Sequence, residues 1–428
     1  MDIIQNQLFN HTINLGSELA RWRRGRDLAV AYDHYAAMQF DAVFEEATGC
    51  KPEVLFEVGL SAILKLREEK TVRLDPVIFN QLEYAPGEVA AAVDLVATDM
   101  DHLQELVVQE YEESGIDWAA NSLRRYPIVR CQDGKLLVLV PQFLIQRVCG
   151  SGFHWEVLNE LNGRRRRATG VAKSEAKQLI GSFGVFTGHA AEEYAADRLE
   201  RIVSNHGGLA KQLWREQDLQ RIWPDEKCCD FLIDGGHAWV AMDAVNHAIT
   251  AKAAAAGSVA ALQQDLEYII DEKAVQLDAT IGRLIESGGS LPGQPAPHLR
   301  PRYHPVIVAA AGFPWSPIMA AAVHERLREK GLLQHDLIDP LTVITTQELE
   351  FLEHAVANGR VALVEMLDHR TQTHQVEVPV DMYLFGRASL QLPASLIEPL
   401  NVAFNHLAHA LGLGEFRSES SDQEDVGD

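Results

Sequence analysis

The stretch Cys228–His247, reading CCDFLIDGGHAWVAMDAVNH, constrains the fold of this chain more than any other. Two apolar runs, Phe231–Ile233 and Ala238–Met242, flank Asp234-Gly235-Gly236. Glycines accept the positive φ angles of tight hairpin turns, so the pattern predicts two antiparallel strands joined at this point. Asp230 opens the first strand and Asp243 closes the second. A hairpin therefore brings both acids to one end of a sheet, where two carboxylates can hold a divalent cation.

These residues resemble the hairpin of the PD-(D/E)XK, or restriction-endonuclease-like, nucleases. In that family an Asp on one strand and an acid-x-Lys triplet on the next build the metal site. Asp230 matches the first acid and Asp243 the second, but Val245 stands where the family's lysine would be. The resemblance covers roughly Gly188 to Leu349. It implies a mixed sheet with flanking helices, Mg²⁺ or Mn²⁺ as cofactor, and a glutamate from a preceding helix, for which Glu193 is the candidate. It also implies a helix after the hairpin that brings a lysine toward the metal. Lys273 is the candidate to replace the missing strand lysine, so the resemblance assigns catalysis to Asp230, Asp243, Lys273 and Glu193, and metal binding to the three acids.

A chain of 428 residues with 47% apolar content can build two or three cores. Its longest apolar runs, such as Leu136–Val140, are too short to span a bilayer, and MDIIQNQLFN has no basic-then-apolar secretory pattern. The expectation is a soluble cytoplasmic protein with no membrane partner. Cys50, Cys131, Cys149, Cys228 and Cys229 are odd in number and lack CxxC spacing, which predicts buried free thiols. A formal charge of −23 repels phosphate at long range and argues against indiscriminate nucleic-acid binding. From Glu160 to Arg221, however, eleven Lys/Arg face eight Asp/Glu.

In chain order the pattern predicts an α/β protein of the α+β kind. Residues 1–121 read as a helical N-terminal domain, with apolar spacing such as Leu55, Val58 and then Val93, Val96, Met100. Residues 122–187 read as a connecting segment with a second hairpin around Asp133-Gly134 and an arginine run, Arg164, Arg165, Arg166 and Arg167, in a polar loop. Those arginines are either a phosphate clamp for nucleic acid or a solvated loop. Residues 188–415 read as the nuclease-like α/β domain, opening with a helix from Gly188 and closing with a helix over Leu396–Leu411; residues 416–428 read as a disordered acidic tail. The helix after the hairpin starts at a Ser258 cap.

There is no GxxxxGK[ST], GxGxxG, HExxH or GxSxG motif, so enzymatic chemistry rests on the hairpin core. Three functions follow from the resemblance. The first is a degenerate nuclease-like protein, weak or inactive in cleavage, that binds nucleic acid or a protein partner, with bacterial defence against foreign DNA as its setting. The second is an active Mg²⁺-dependent nuclease in which Lys273, Lys252 or His247 replaces the strand lysine. The third is a protein-interaction scaffold. Losing one electrostatic donor at such a site costs on the order of 10²–10³ in rate, so the second requires another cation in place.

Overall fold

The structure, a computed structural model, describes residues 19, 22–26, 39–114, 121–149, 152–205, 212–247, 249–250, 253, 258–294, 299–309, 313–385, 387–388 and 390–410. The chain divides into two compact units, residues 1–186 with 395–428 and residues 187–394. Both are mixed helix and sheet, so the chain is of the α+β class.

In the first unit a helix Pro52–Glu69, entered through Pro52 and buried along Val54, Leu55, Val58 and Leu60, packs near a small sheet in the order β1-β4-β3-β2. The strands are β1 Arg73–Leu74, β2 Ala97–Asp99, β3 Ile128–Arg130 and β4 Leu136–Val138. The hairpin around Gly134 is β3–β4, as its turn chemistry requires. Its edges are taken by strands from the segment before residue 121: β1 pairs β4 and β2 pairs β3. Residues 1–121 and 122–187 thus share one sheet and one unit, because open strand edges in each are satisfied by the other.

Three further expectations are corrected. The helix foreseen from Gly188 begins at Gly170 and runs to Asn205, carrying Gly181-Ser182-Phe183-Gly184 within it. The helix foreseen to close the nuclease-like domain is Ala394–Ala410, and from Ser395 onward it falls in the first unit. Arg164–Arg167 form the last turn of a helix, Gly152–Arg167, and no loop. Basic residues at that position complement the helix dipole, and Arg164 reaches Glu160, four residues earlier, at 3.1 Å. Lys252 and the tail 416–428 lie outside the described residues.

The second unit is built on a five-stranded sheet in sequential order: β5 Gln212–Arg215, β6 Phe231–Asp234, β7 Ala238–Val245, β8 Arg302–Ala309 and β9 Thr342–Thr345. The first three form an antiparallel meander, and β8 and β9 continue parallel to β7. β7 is buried from Ala238 to Ala244. A central strand covered on both faces needs a nearly unbroken apolar run, which its sequence supplies except at Asp243. One face, with Trp214, Leu232, Trp239, Ala241 and Ile307, meets helix Glu272–Glu286 through Ala274, Leu277 and Ile281, and helix Pro317–Lys330. The other, with Ile233, Val240, Met242 and Val306, meets Ala195 and Leu199, helix Thr346–Ala357 and helix Leu363–Gln372. Parallel neighbours need crossovers of this length, and a helix supplies each one.

The β6–β7 hairpin pairs Phe231 with Met242 and Asp234 with Trp239. Gly236 takes φ +81°, and its N–H donates to Asp234 Oδ1 at 2.7 Å. Gly235 is required for a different reason: a Cβ there would stand 2.7 Å from a Val364 methyl and 2.9 Å from the Ala238 carbonyl oxygen. Since the carbonyl is backbone, the clash cannot relax through a rotamer. Gly235→Ala is therefore expected to lower stability by about 1–3 kcal/mol, measured by urea unfolding. An unchanged midpoint would contradict this packing.

Candidate functional site

The sheet register lays three carboxylates side by side. Arg215 pairs Phe231 and Phe231 pairs Met242, so one step further Glu216, the first residue of the helix after β5, and Asp230, just before β6, come abreast of Asp243 on β7. The Glu216 N–H donates to the Asp230 carbonyl at 2.8 Å, extending the ladder by that step. Two residues along, Trp214, Leu232 and Ala241 form the parallel row beneath them. With a side-chain period of two, the carboxylates share that face, toward helix Glu272–Glu286.

Lys273 comes from the first turn of that helix. Its Nζ lies 2.7 Å from Asp243 Oδ1 and 3.8 Å from Asp230 Oδ2. The Ala244 N–H donates to Asp230 Oδ2 at 2.7 Å, fixing the Asp230 side chain against β7. Asp243 is wholly buried, and its Oδ2 has no hydrogen-bond partner. Immediately before Lys273 the helix passes through a π turn, Glu267–Asp271, the kind of local insertion that resets the phase of following side chains. Asp271 anchors the turn through Arg326 at 2.7 Å and Lys330 at 3.1 Å.

Burial, and then the adjacent charge of Asp230, push the Asp243 carboxyl well above the usual carboxylate range, against the pull of Lys273. For Lys273 burial works downward, but the charges of Asp243 and Asp230 outweigh it and raise the ammonium's pKa. Two more carboxylates feel Asp230. Burial and then its charge raise both Glu192 and Glu216. Among the described residues only His304, Asp339 and Asp368 bring three ligand-type atoms within 4.8 Å of one another; Glu192, Glu216, Asp230 and Asp243 form no such group, and the Lys273 ammonium sits between the two aspartates.

The helix contribution differs from the expected one. Glu193 Oε2 is ion-paired with Arg215 at 2.7 Å, and Glu200, seven residues on, meets the same guanidinium at 2.7 Å. Glu192 precedes Ala195, Ala196 and Leu199 by three, four and seven residues, so it lies along the buried stripe that faces the sheet. That spacing was the available signal for choosing it over Glu193. The Asn246 side chain donates to the Thr187 carbonyl at 3.0 Å, tying this part of the helix to the end of β7.

Other candidates lie elsewhere. His247 contacts Asp265 at 3.1 Å and stacks near Tyr268. Val245 packs with the apolar cluster on the Asp243 face. Arg164 and Arg167 both pair with Glu160, and Arg164 also meets Glu46. The five cysteines are free, all but Cys131 buried. Among the described residues no helix is long and apolar enough to cross a membrane.

No family model, curated protein or solved structure matches this chain.

A second polar cluster, without any sequence motif, sits toward the hairpin-turn end of the same sheet. His304 on β8 donates from both sides of its ring, with Nδ1 3.0 Å from Asp339 and Nε2 3.0 Å from Asp368. Arg302 closes on Asp339 and His237 on Asp368. Each ligand-type atom of His304 already has a partner, so the group satisfies itself as an imidazolium between two carboxylates. Burial alone would lower the His304 pKa, yet the hydrogen bonds and charges of Asp339 and Asp368 raise it above its ordinary 6.5. A raised folded-state pKa contributes stability that is fully present below pH 6.5 and is lost as pH rises through the folded value. Urea unfolding from pH 6 upward should show that decline in the wild type, and His304→Gln should flatten it.

Proposed function

We propose that residues 187–394 form a metal-dependent phosphodiesterase of the nuclease kind, acting on nucleic acid, with Lys273 in the place of the absent strand lysine. One observation carries this reading: the Lys273 ammonium sits on both hairpin aspartates, 2.7 Å from Asp243 and 3.8 Å from Asp230. It supplies from the helix the cation that Val245 cannot supply from the strand. Support comes also from the resemblance of the hairpin to that of the PD-(D/E)XK nucleases.

Asp230, Asp243 and Glu192 are the residues that would hold Mg²⁺ or Mn²⁺. A cation held there would supply a water of lowered pKa and offset phosphate charge. Asp243 keeps Lys273 protonated and fixed, so that the ammonium can orient the attacking water and offset the charge that develops on the phosphoryl oxygens. The Ala244 N–H holds Asp230 in a single orientation. The two helical layers exclude water around Asp243, which strengthens each of these interactions.

The complete burial of Asp243 favours a second reading, in which the site is closed and the protein binds nucleic acid without cutting it. Cleavage of plasmid DNA and of single-stranded RNA with Mg²⁺ or Mn²⁺ separates the two. Wild type should cleave, and Lys273→Met should cleave at least about 10²-fold more slowly. Val245 shares the face of Asp243, so Lys273→Met with Val245→Lys should recover part of the loss, a result that a purely structural lysine would not give. Absence of cleavage by the wild type with either metal on either substrate would leave the binding reading in its place.

A further inference from the structure

We infer that the substrate enters as a single strand of nucleic acid and that one of its bases stacks on Tyr268, with His247 bracing the ring. This rests on the reading of the site as a nucleic-acid phosphodiesterase and names the form of nucleic acid it takes.

Three contacts fix where Tyr268 stands. The Trp239 indole N–H donates to the Gly289 carbonyl at 2.9 Å, Lys273 reaches Asp243 at 2.7 Å, and His247 meets Asp265 at 3.1 Å. As the strand side advances from 239 to 247 its partner falls from 289 to 265, so residues 259–286 lie antiparallel along β7. Because β7 ends at Val245, His247, Asp265 and Tyr268 meet past the end of the sheet, just beyond Asp243. That is also the end where β5 stops and β6 starts, beside Glu216 and Asp230. Tyr268 precedes Lys273 by five residues across the π turn Glu267–Asp271. The extra residue of a π turn lets positions five apart share a side, as positions four apart do in an α-helix. At about 1.5 Å of rise per residue the two are roughly 7 Å apart along the axis, about two stacked bases at roughly 3.4 Å each.

The surroundings call for a contact of this kind. The chain carries a formal charge of −23, and Glu192, Glu216, Asp230 and Asp243 stand around the single Lys273, so the protein's own charge repels phosphates. Stacking needs no charge, and every base has a π-face. Of the tyrosines in residues 187–394, Tyr194, Tyr303 and Tyr383 are buried, whereas Tyr268 is 47% exposed. Its ring centroid lies 5.6 Å from that of His247 at a tilt of 41°, so the imidazole props the phenol ring without lying flat on it. His247 is held in turn by Asp265, whose other oxygen accepts from the Thr250 N–H at 2.8 Å and hydroxyl at 2.9 Å. The platform is thus set before a base arrives. A duplex keeps its bases paired and must unpair one to reach it, whereas a single strand offers them directly.

The test is steady-state cleavage by the full chain, with Mg²⁺ or Mn²⁺, of a labelled strand made as DNA and as RNA, each alone and annealed to its complement. The wild type should prefer the single strand. Tyr268→Ala and Tyr268→Leu should raise KM for the single strand about tenfold with kcat changed less than about twofold, and Tyr268→Trp should keep the wild-type KM. Leucine retains apolar bulk, so a ring that served only to pack against His247 would be replaced by it without loss. Thermal unfolding should find all three variants folded, since Tyr268 is half-exposed. An unchanged KM in Tyr268→Ala, equal losses on single strand and duplex, or a Tyr268→Leu protein that matches the wild type would overturn the stacking role and leave Lys273-dependent cleavage standing. No cleavage of any of the four substrates by the wild type would remove both.

Discussion

The ion pair of Lys273 with Asp243, placed in the buried centre of a five-stranded sheet, is the interaction on which the second unit turns. β7 could have been apolar throughout, and Ala, Val or Leu at position 243 would extend its core. Taking a carboxylate and an ammonium out of water costs several kcal/mol per ion, and replacing such pairs by well-packed apolar residues is often neutral or stabilising. The pair here is also incompletely satisfied, with one carboxylate oxygen left over. Stability therefore does not explain it, and perturbed charged groups of this kind cluster at functional sites.

The sheet sets this up through its change of pairing. An antiparallel meander lets three consecutive strands offer residues in one lateral row, and the switch to parallel pairing after β7 forces a helix to cross over that same face. The crossover delivers Lys273 to the row. The π turn just before it, held by Arg326 and Lys330 on Asp271, shifts Lys273 and the apolar stripe of Ala274, Leu277 and Ile281 together relative to the preceding helix Val259–Leu266. Toward the other end of the sheet, His304 between Asp339 and Asp368 joins β8 to the loop before β9 and to the helix behind it. One polar group is closed on itself and the other is open at Asp243, and that contrast is what separates a structural cluster from a candidate site.

Local chemistry made much of the second unit legible. Asp-Gly-Gly between two apolar runs fixes a hairpin, and a hairpin fixes the opposition of Asp230 and Asp243 whatever surrounds it. Ser258 before an apolar stripe gives the helix start that its hydroxyl caps at 3.3 Å. The arginine run was misread because a lone glycine, Gly163, and four like charges resemble a loop, whereas Glu160 one turn earlier supports a helix there.

The sequence by itself determined the hairpin, its two acids and the apolar strands that follow, with a valine at position 245, since each depends on residues within a few positions of one another. The spacing of Ala195, Ala196 and Leu199 favoured Glu192 over Glu193, and the tertiary structure decided the outcome, because neighbouring residues on a helix point about 100° apart and packing against the sheet sets the phase. It alone decided that Glu216 joins the row, since β5 is a four-residue strand whose pairing partner lies beyond an intervening helix. It brought Lys273, the residue the resemblance had singled out, across thirty positions to Asp243, and it alone brought His304, Asp339 and Asp368 to one another. Contacts of that separation are fixed by how helices cover a sheet, and no local pattern encodes them.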